Sequence, residues 1–181
     1  MKGRPEDSTA LREAVIATAR ALNASGINVN KSGNVSVRCQ RGPRTGLLLT
    51  PTGVPYERLA TEDIVFVDAS GRAVGRCEPS SEWRFHAAIY GVRADLEAVV
   101  HTHSAHATAL ACQGLPIPAF HYMVAVAGGT DIRCSDYATF GTQALADNVL
   151  AALAGRRACL LAHHGVIACG PSLEAAFALA V

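Results

Sequence analysis

The sequence predicts a layered α/β domain in which helices cover a mixed and substantially antiparallel sheet. Helical patterns precede, separate and follow a series of short apolar runs, which is typical of packed layers of helix and sheet. Several connections between the apolar runs are too short to hold a helical crossover, so many neighbouring strands must run antiparallel. With 181 residues, half of them hydrophobic, the chain is long enough for one domain with a substantial core. We therefore predict a single domain over residues 1–181.

The first half of the chain predicts one helix followed by three strands. Leu11, Val15 and Leu22 recur at helical spacing, Asp7 or Ser8 can cap the helix start, and a glycine can close its end. Three runs of strand-like composition follow, separated by glycine- and proline-containing turns. They are NVSVRC (34–39), GLLLT (46–50) and IVFVD (64–68).

The second half alternates between predicted helices and strands. SSEWRFHAAIYGVR (80–93) predicts a helix capped by Ser80 or Ser81, and LEAVVHTH (96–103) predicts a buried strand that ends in histidines. The remaining predicted elements are a short helix from Ser104 to Cys112, a strand HYMVAVA (121–127), a helix from Thr142 to Ala154, two strands hinged at His-His-Gly within 157–170, and a closing helix over 172–181.

Composition and charge exclude several classes of function. The net charge is +1 and no basic run occurs, so the sequence offers no electrostatic attraction to nucleic acid or anionic membranes. No apolar stretch approaches the roughly 20 residues of a membrane span, and the first residues lack the apolar region of a secretory signal. The six cysteines form no Cys-x-x-Cys pair, and we expect them to be reduced. A cytoplasmic protein with a small-molecule partner is expected.

Histidine is concentrated at the end of the predicted strand 96–103. His101 and His103 are two residues apart on an extended chain, so their side chains leave the same face of the sheet. Two imidazoles on one face can chelate one metal ion, although histidines at a strand end more often form ordinary hydrogen bonds. His106 lies in the following helix, where we expect a supporting or surface residue rather than a ligand.

A second pair of histidines lies in the hinge between the two predicted C-terminal strands. His163 and His164 are adjacent, so on an extended chain they face opposite sides and at most one can join the site of the first pair. A third imidazole would complete a three-histidine site with an open fourth position, the usual arrangement of catalytic zinc. Cobalt, nickel and manganese accept the same ligands.

Glu82 and the serines before it are the candidate acid/base and anion-binding groups. A carboxylate in the first turn of a helix is common because it suits the helix dipole. A metal site with an open position, however, also needs a carboxylate that moves protons. Ser80 and Ser81 offer hydroxyl and free backbone N–H groups, which bind anions at helix starts. The turns SGN (32–34) and PTG (51–53) can add further donors to a phosphate.

The order of these motifs resembles the class II aldolase/adducin family. The resemblance extends over nearly the whole chain from about Ala14 onward. It rests on the segments GNVSVR (33–38), LTPTGVPYERL (49–59), PSSEWRFH (79–86), AVVHTHSAHATA (98–109), FHYMVAVAGG (120–129), YATFGT (137–142) and LLAHHGVIAC (160–169).

The resemblance implies a fold, an assembly and a set of site residues. The implied fold is a three-layer α/β/α sandwich with a mixed, mostly antiparallel central sheet, and the implied assembly is a homotetramer with active sites at subunit interfaces. Glu82 would be the catalytic acid/base, and Tyr122 would lie near the substrate across the interface. The implied zinc ligands are His101, His103 and His164, and the implied phosphate pocket comprises Asn34, Thr52, Gly53, Ser80 and Ser81.

The implied reaction is the cleavage of L-fuculose 1-phosphate, or a similar 1-phosphorylated ketose, to dihydroxyacetone phosphate and an aldehyde such as L-lactaldehyde. Other sugar-phosphate enzymes of the family stay open: a methylthioribulose-1-phosphate dehydratase or aldolase, or a ribulose-5-phosphate 4-epimerase. The epimerases carry Asp where Glu82 stands, so Glu82 favours an aldolase. The three histidines disfavour a non-catalytic module like the adducin head, and the ordered motifs disfavour an unrelated metal-binding protein.

The sequence departs from the family pattern at its end. It stops at Val181 within an apolar helix, whereas the aldolases it resembles continue into a further helix and a tail whose tyrosine donates a proton. Either this helix and tail are truncated here, which we expect, or the protein lacks that donor and would be slow or differ in specificity.

Overall fold

A computed structural model describes residues 4–181, and its central element is a single sheet of eight strands. The strands are β1 (Asn34–Arg41), β2 (Arg44–Leu49), β3 (Val65–Asp68), β4 (Ala73–Val74), β5 (Ala98–Thr102), β6 (Cys134–Ser135), β7 (Ala158–Leu161) and β8 (Gly165–Gly170). Their order across the sheet is β4-β3-β2-β1-β5-β8-β7-β6. Neighbouring strands are antiparallel except β6 and β7, which are parallel. The predicted mixed and mostly antiparallel sheet is confirmed.

Helices cover both faces of the sheet. They are α1 (Thr9–Ala24), α2 (Trp83–Val92), α3 (Ala105–Ala111), α4 (Gln143–Ala152) and α5 (Leu173–Ala180). Side chains of α1 and α5 pack on one face of the sheet, and side chains of α2 and α4 pack on the other. This arrangement is the predicted three-layer α/β/α sandwich. No helix within residues 4–181 is both long and apolar enough to cross a membrane.

The first helix begins at one of the two predicted caps. The Ser8 hydroxyl accepts a hydrogen bond from the Leu11 N–H group and so satisfies a free donor of the first turn. Asp7 instead forms a two-point ion pair with the Arg12 guanidinium. The apolar stripe of the helix, which includes Val15 and Leu22, is buried against the sheet as the periodicity predicts.

The predicted strand 121–127 is wrong. Tyr122–Ala127 forms a 3₁₀ helix, in which His121 O accepts a hydrogen bond from the Val124 N–H group. The helix ends at Gly128, which has a φ of 95°. The backbone bridge between Ile117 and Ile132 closes this segment into a surface loop. No strand within residues 4–181 pairs with Tyr122–Ala127, so the strand-favouring composition of the segment does not decide its structure.

The start of α2 also differs from the prediction. Neither Ser80 nor Ser81 caps the helix, because the cap position is occupied by Glu82. The Ser80 N–H group donates to Thr50 O, which ties this residue to the end of β2 instead of the helix, and its hydroxyl accepts from the Glu82 N–H group. The two-residue strands β4 and β6 were not predicted, since they are too short to show a periodicity.

Candidate active site

Three histidines from two distant parts of the chain meet at one edge of the sheet. His101 lies on β5, His103 follows the end of that strand, and His164 lies in the turn between β7 and β8. Strand β5 pairs with β8, and Thr102 is opposite Val166, so the turn before β8 is held beside the end of β5. One nitrogen from each ring lies within 4.8 Å of a nitrogen from the other two. The structure thus brings together the three histidines that the resemblance implies as ligands.

The backbone fixes the orientation of the central imidazole. His101 is fully buried, and its Nδ1 lies 3.0 Å from the carbonyl oxygen of Val166, to which it donates. A neutral ring that donates from Nδ1 carries its lone pair on Nε2. That Nε2 atom lies 3.1 Å from Nε2 of His103. A backbone acceptor on the far side of the ring is the usual way in which proteins orient a metal-binding histidine.

The turn that carries His164 depends on the conformation of His163 before it and on the small size of Gly165 after it. His163 has a φ of 57°, and its exposed ring packs edge-on against Tyr137 with 5.8 Å between ring centroids, away from the cluster. At Gly165, a Cβ atom would lie 2.9 Å from His103 and 3.2 Å from His101. Glycine at this position therefore leaves the space that the two rings fill.

Glu82 faces the histidine cluster. Its carboxylate is buried, with Oε2 at 3.2 Å from His101 Nε2 and Oε1 at 3.2 Å from His164 Nε2. Burial disfavours the charged carboxylate, but His101 and His164 in their protonated forms attract it, and Asn34 donates a hydrogen bond to it. Together these interactions outweigh burial and lower the pKa of Glu82 to about 2. Glu82 is therefore a carboxylate at neutral pH.

Burial has the opposite effect on the imidazoles. It lowers the pKa of His103 to about 4, and repulsion from His101 in its protonated form adds to this effect. The same two causes lower the pKa of His164 to about 4. Neutral imidazoles keep a lone pair for a metal ion, so both rings are in the form that coordination requires.

The arrangement of these atoms fits a bound cation. Imidazole lone pairs and a carboxylate repel one another when they face a common point, and here Glu82 Oε1 is buried without a hydrogen-bond donor among residues 4–181. A positive ion between the rings would satisfy all of these acceptors. Three imidazoles beside a carboxylate are a donor set that Zn²⁺ and similar transition metals prefer.

Two segments that the sequence nominates for phosphate binding lie side by side. The Ser80 N–H group donates to Thr50 O, and the Thr52 N–H group donates to Glu78 O. Gly53 follows in the turn with a φ of 75°, a conformation that glycine adopts without strain. The exposed Thr52 and Gly53 are thus held next to the segment that contains Ser80 and Ser81.

The side chain of Asn34 is hydrogen-bonded to other side chains of the site. Its Nδ2 atom donates to Glu82 Oε2 at 2.9 Å and to Ser80 Oγ at 3.2 Å, and its Oδ1 atom lies 2.5 Å from His86 Nε2. Only 2% of Asn34 is exposed. The Asn34 amide therefore contacts the candidate base directly, a role that the sequence did not indicate.

Lys31 is a charged residue that the sequence analysis missed. Its exposed side chain extends to the turn of Gly53, where Nζ donates to the carbonyl oxygen at 2.9 Å. The nominated phosphate-binding residues are all neutral, so Lys31 adds a positive charge beside them. Its position directly before the SGN turn (32–34) was the available signal.

A cavity of about 340 Å³ adjoins the histidine cluster. Its walls combine polar groups of the candidate site with apolar and aromatic side chains. They are Ser32, Ser81, Glu82, His103, Tyr137, Ala138, Phe140, His163 and His164. The cavity therefore connects one nominated phosphate-binding serine to the acid/base candidate and two of the candidate metal ligands.

Tyr122 and His106 lie outside this cavity and outside the histidine cluster. Tyr122 is 78% exposed in the 3₁₀ helix and is not among the residues of the described chain that line this cavity. His106 is exposed on α3 and is not part of the histidine cluster, as its position beyond the strand indicated.

Comparison with known proteins identifies similar sequences and structures. Residues 13–181 match the Class II Aldolase and Adducin N-terminal domain family. A 5-methylthioribulose-1-phosphate/5-deoxyribulose-1-phosphate aldolase of Rhodospirillum rubrum is 54% identical over 177 residues, which cover 98% of this chain and 78% of that protein. An L-fuculose phosphate aldolase of Escherichia coli strain K12 is 49% identical over 170 residues, which cover 94% of this chain and 77% of that protein.

Solved structures with the same fold include two named L-fuculose 1-phosphate aldolases. One superposes with a TM-score of 0.91 at 39% identity, covering 96% of this chain and 81% of its own. The other, from Thermus thermophilus, superposes with a TM-score of 0.78 at 29% identity, covering 93% of this chain and 86% of its own.

Proposed function

The chain belongs to the Class II Aldolase and Adducin N-terminal domain family, and we propose that it cleaves a 1-phosphorylated ketose to dihydroxyacetone phosphate and an aldehyde. The observation that carries the proposal is the convergence of His101, His103, His164 and Glu82 at one end of the cavity. Its relatives named above are aldolases, which supports this class of reaction over the others in the family.

The proposed cofactor is Zn²⁺, about one ion per subunit, held by His101, His103 and His164. When bound, such an ion supplies a Lewis acid for the negative charge that develops on the substrate oxygens. Cobalt, nickel or manganese would fit the same nitrogen ligands.

Glu82 is the proposed acid/base. In the synthetic direction its carboxylate removes a carbon-bound proton from dihydroxyacetone phosphate. In the cleavage direction the C4 hydroxyl gives its proton to the carboxylate as the bond between C3 and C4 of the ketose breaks. The aldehyde leaves first, and the carboxyl group then gives the proton to C3. Oε2 is held by Asn34, whereas Oε1 has no donor among the described residues, so we assign the proton to Oε1.

The proposed phosphate pocket is formed by Asn34, Thr52, Gly53, Ser80 and Ser81. The segment with Thr52 and Gly53 pairs with the segment that contains Ser80 and Ser81, which supports this assignment. The Asn34 amide donates a hydrogen bond to Glu82, so Asn34 would also orient the carboxylate. Phosphate binding away from the reacting carbons would hold them in register with the base.

The aldehyde half of the substrate would lie against Tyr137, Ala138 and Phe140. These residues give the cavity an apolar wall, which suits a terminal carbon that lacks a hydroxyl group. The substrates in the relatives' names share this property, since fuculose, 5-deoxyribulose and 5-methylthioribulose all end in such a carbon. We propose L-fuculose 1-phosphate as the first candidate substrate. The 54% identity to the Rhodospirillum rubrum aldolase favours 5-methylthioribulose 1-phosphate as the second.

Tyr122 would act from a neighbouring subunit of a homotetramer. It belongs to a group of exposed apolar side chains that favours self-association, comprising Phe120, Tyr122, Met123 and Val126. Phe120→Asp would place a charge in this group and should yield a smaller particle in size-exclusion chromatography with light scattering. A wild-type protein that is monomeric at the concentration of the activity assay would contradict the proposed assembly.

The test of the function is a panel of phosphorylated sugars assayed for triose-phosphate release. L-Fuculose 1-phosphate, 5-deoxyribulose 1-phosphate and 5-methylthioribulose 1-phosphate should each be tested, with ribulose 5-phosphate as a control for epimerisation. Release of dihydroxyacetone phosphate from at least one 1-phosphate would support an aldolase. Loss of water from 5-methylthioribulose 1-phosphate without triose release would instead identify a dehydratase. Protein purified without chelator that contains no transition metal would contradict the enzymatic proposal.

A further inference from the structure

A line of polar side chains runs from Glu82 into the interior between β1 and α2. Asn34 and Ser36 are two residues apart on β1 and point toward α2, while His86 and Tyr90 are four residues apart on α2 and point toward β1. Ser36 and His86 are fully buried, and Tyr90 is 7% exposed. Buried polar groups in an otherwise apolar layer are costly unless each is hydrogen-bonded, so their presence calls for a role.

The two elements bring these side chains into register. Two residues of a strand advance about 6.7 Å and four residues of a helix advance about 6 Å, so pairs at these spacings stay aligned. His86 Nδ1 lies 2.7 Å from Ser36 Oγ, which lies 2.8 Å from the Tyr90 hydroxyl. His86 Nε2 lies 2.5 Å from Asn34 Oδ1, and Asn34 Nδ2 lies 2.9 Å from Glu82 Oε2. The chain of contacts is unbroken from Tyr90 to the carboxylate.

The carboxylate at one end fixes the direction of every hydrogen bond. An ionised carboxylate only accepts, so Asn34 must present its NH₂ group to Glu82 and its carbonyl oxygen to His86. His86 Nε2 must then carry the proton, which leaves Nδ1 to accept from the Ser36 hydroxyl. Ser36 Oγ in turn accepts from the Tyr90 hydroxyl. All of these bonds donate toward Glu82, and such aligned bonds strengthen one another.

Burial keeps the imidazole in the form that this pattern needs. It lowers the pKa of His86 to about 3, so the ring is neutral at physiological pH. A charged ring would carry protons on both nitrogens and could not accept from Ser36.

We propose that His86 is a positioning residue for Glu82. By fixing the orientation of the Asn34 amide, it directs that amide onto Glu82 Oε2 and leaves Oε1 as the oxygen that exchanges the substrate proton. The inference rests on the proposed function, in which Glu82 is the acid/base. His86 itself touches neither substrate nor the candidate metal ligands in this arrangement, so it should affect turnover more than binding.

The first test separates kcat from KM in two substitutions of His86. His86→Leu removes both ring nitrogens and should lower kcat about 10- to 100-fold, while KM for the cleaved ketose 1-phosphate and the metal content stay at wild-type values. His86→Gln retains a donor near the position of Nε2 and should recover much of that loss. His106→Leu, an exposed histidine on α3, is the matched control and should leave kcat unchanged.

The second test measures the wild-type protein and needs no turnover. In ¹⁵N-histidine-labelled wild-type protein at neutral pH, the His86 ring should show a protonated Nε2 and an unprotonated Nδ1, assigned by loss of the signals in His86→Gln. The opposite tautomer or a charged ring would overturn the proposal even if His86→Leu failed to fold.

The outcomes also separate this inference from the proposed function. A wild-type protein that releases no triose phosphate would overturn the function. A wild-type protein that turns over, together with a folded His86→Leu variant of equal kcat, would overturn only the role of His86. A His86→Leu variant that loses metal and kcat in the same proportion would also overturn it, because the defect would then lie in the ligands.

Discussion

The two oxygens of Glu82 have different environments, and this difference defines the candidate acid/base. Oε2 accepts from Asn34, whereas Oε1 faces His164 without a donor among residues 4–181. A carboxylate with one anchored oxygen keeps its orientation, and the other oxygen remains available for a proton. The proposed chemistry therefore depends on a hydrogen bond from Asn34, which is not among the residues that line the cavity.

Glu82→Gln should abolish most turnover and leave the metal in place. Glutamine has the same shape and can still accept from Asn34, but its amide cannot take up a proton, so we expect kcat to fall about 10²- to 10⁴-fold. Metal content by elemental analysis should equal that of the wild type, because Glu82 is not among the proposed ligands. Unchanged turnover would assign the base to another residue.

Lys31→Met should weaken substrate binding more than catalysis. The ammonium group of Lys31 lies at Gly53 of the proposed phosphate pocket, and a charge-assisted contact to a phosphate is stronger than a neutral one. A contact that stabilises the bound substrate and the transition state equally affects KM but not kcat when it is lost. We therefore expect KM to rise about tenfold. Arg72→Met, an exposed cation in the turn between β3 and β4, should leave KM unchanged. Equal KM values for the Lys31 variant and the wild type would remove Lys31 from the pocket.

At the residue scale, the sequence indicated the candidate ligands but not the residues that orient them. His101 and His103 were indicated by their spacing on a strand. The hinge indicated one of His163 and His164, and the family resemblance selected His164. His86 gave no comparable signal, since a histidine within an apolar helix is ordinary until the strand that faces it is known. Asn34 was indicated only as a phosphate-binding residue. Such pairs depend on tertiary contacts, which periodicity does not contain.

At the element scale, elements with a clear period and a cap were predicted well. The helix α4 begins after Thr142, whose hydroxyl accepts from the Leu145 N–H group, and α5 begins after Ser172 in the same way. The segment 121–127 failed because its apolar residues do not pair in a sheet, and Tyr122, Met123 and Val126 are exposed on a surface loop. Composition alone cannot distinguish a buried strand from an exposed apolar segment.

Asp63→Asn should destabilise the connection between β2 and β3 in a pH-dependent way. The Asp63 carboxylate accepts from the Arg76 guanidinium and from the Ala60 N–H group, and these bonds lower its pKa to about 2. At neutral pH, the substitution should reduce the free energy of unfolding by about 1 kcal/mol, the usual contribution of a capping carboxylate.

The pH dependence of this effect follows from the lowered pKa. A carboxyl whose pKa is lower in the folded state stabilises the fold above its ordinary pKa, and the stabilisation is lost as pH falls toward 2. Urea unfolding of wild type and Asp63→Asn at pH 7, 4 and 2.5 should therefore show a difference that shrinks with acidification. Asp95→Asn, which changes an exposed carboxylate paired with Arg93, should have a much smaller effect. A difference for Asp63→Asn that is equal at all three pH values would contradict this account.

At the scale of the whole molecule, the strand order creates the site. The sequence predicted layers and a mixed sheet, but it did not predict that β5 lies between β1 and β8. This strand order places Asn34 of β1 opposite His101 of β5. It also places the turn with His164, which precedes β8, on the other side of β5. Residues far apart in the chain therefore meet only through the register of three strands, which no local pattern encodes.

Metal binding should therefore stabilise the entire domain. An ion that joins β5 to the turn before β8 binds the folded chain far better than the unfolded one, and at about 100 times its dissociation constant it would add about 2.7 kcal/mol. For a domain of this size, this corresponds to a rise in Tm of about 5–10 °C. The shift in Tm should appear when Zn²⁺ is returned to the chelator-treated wild type, and equally in the control variant His106→Ala. All samples need the same protein concentration, because self-association also changes Tm. The shift should be absent in His164→Ala, which keeps both strands but lacks one of the three nitrogens. An equal shift in His164→Ala would show that the ion binds elsewhere, because two imidazoles on one strand cannot join the two halves of the site.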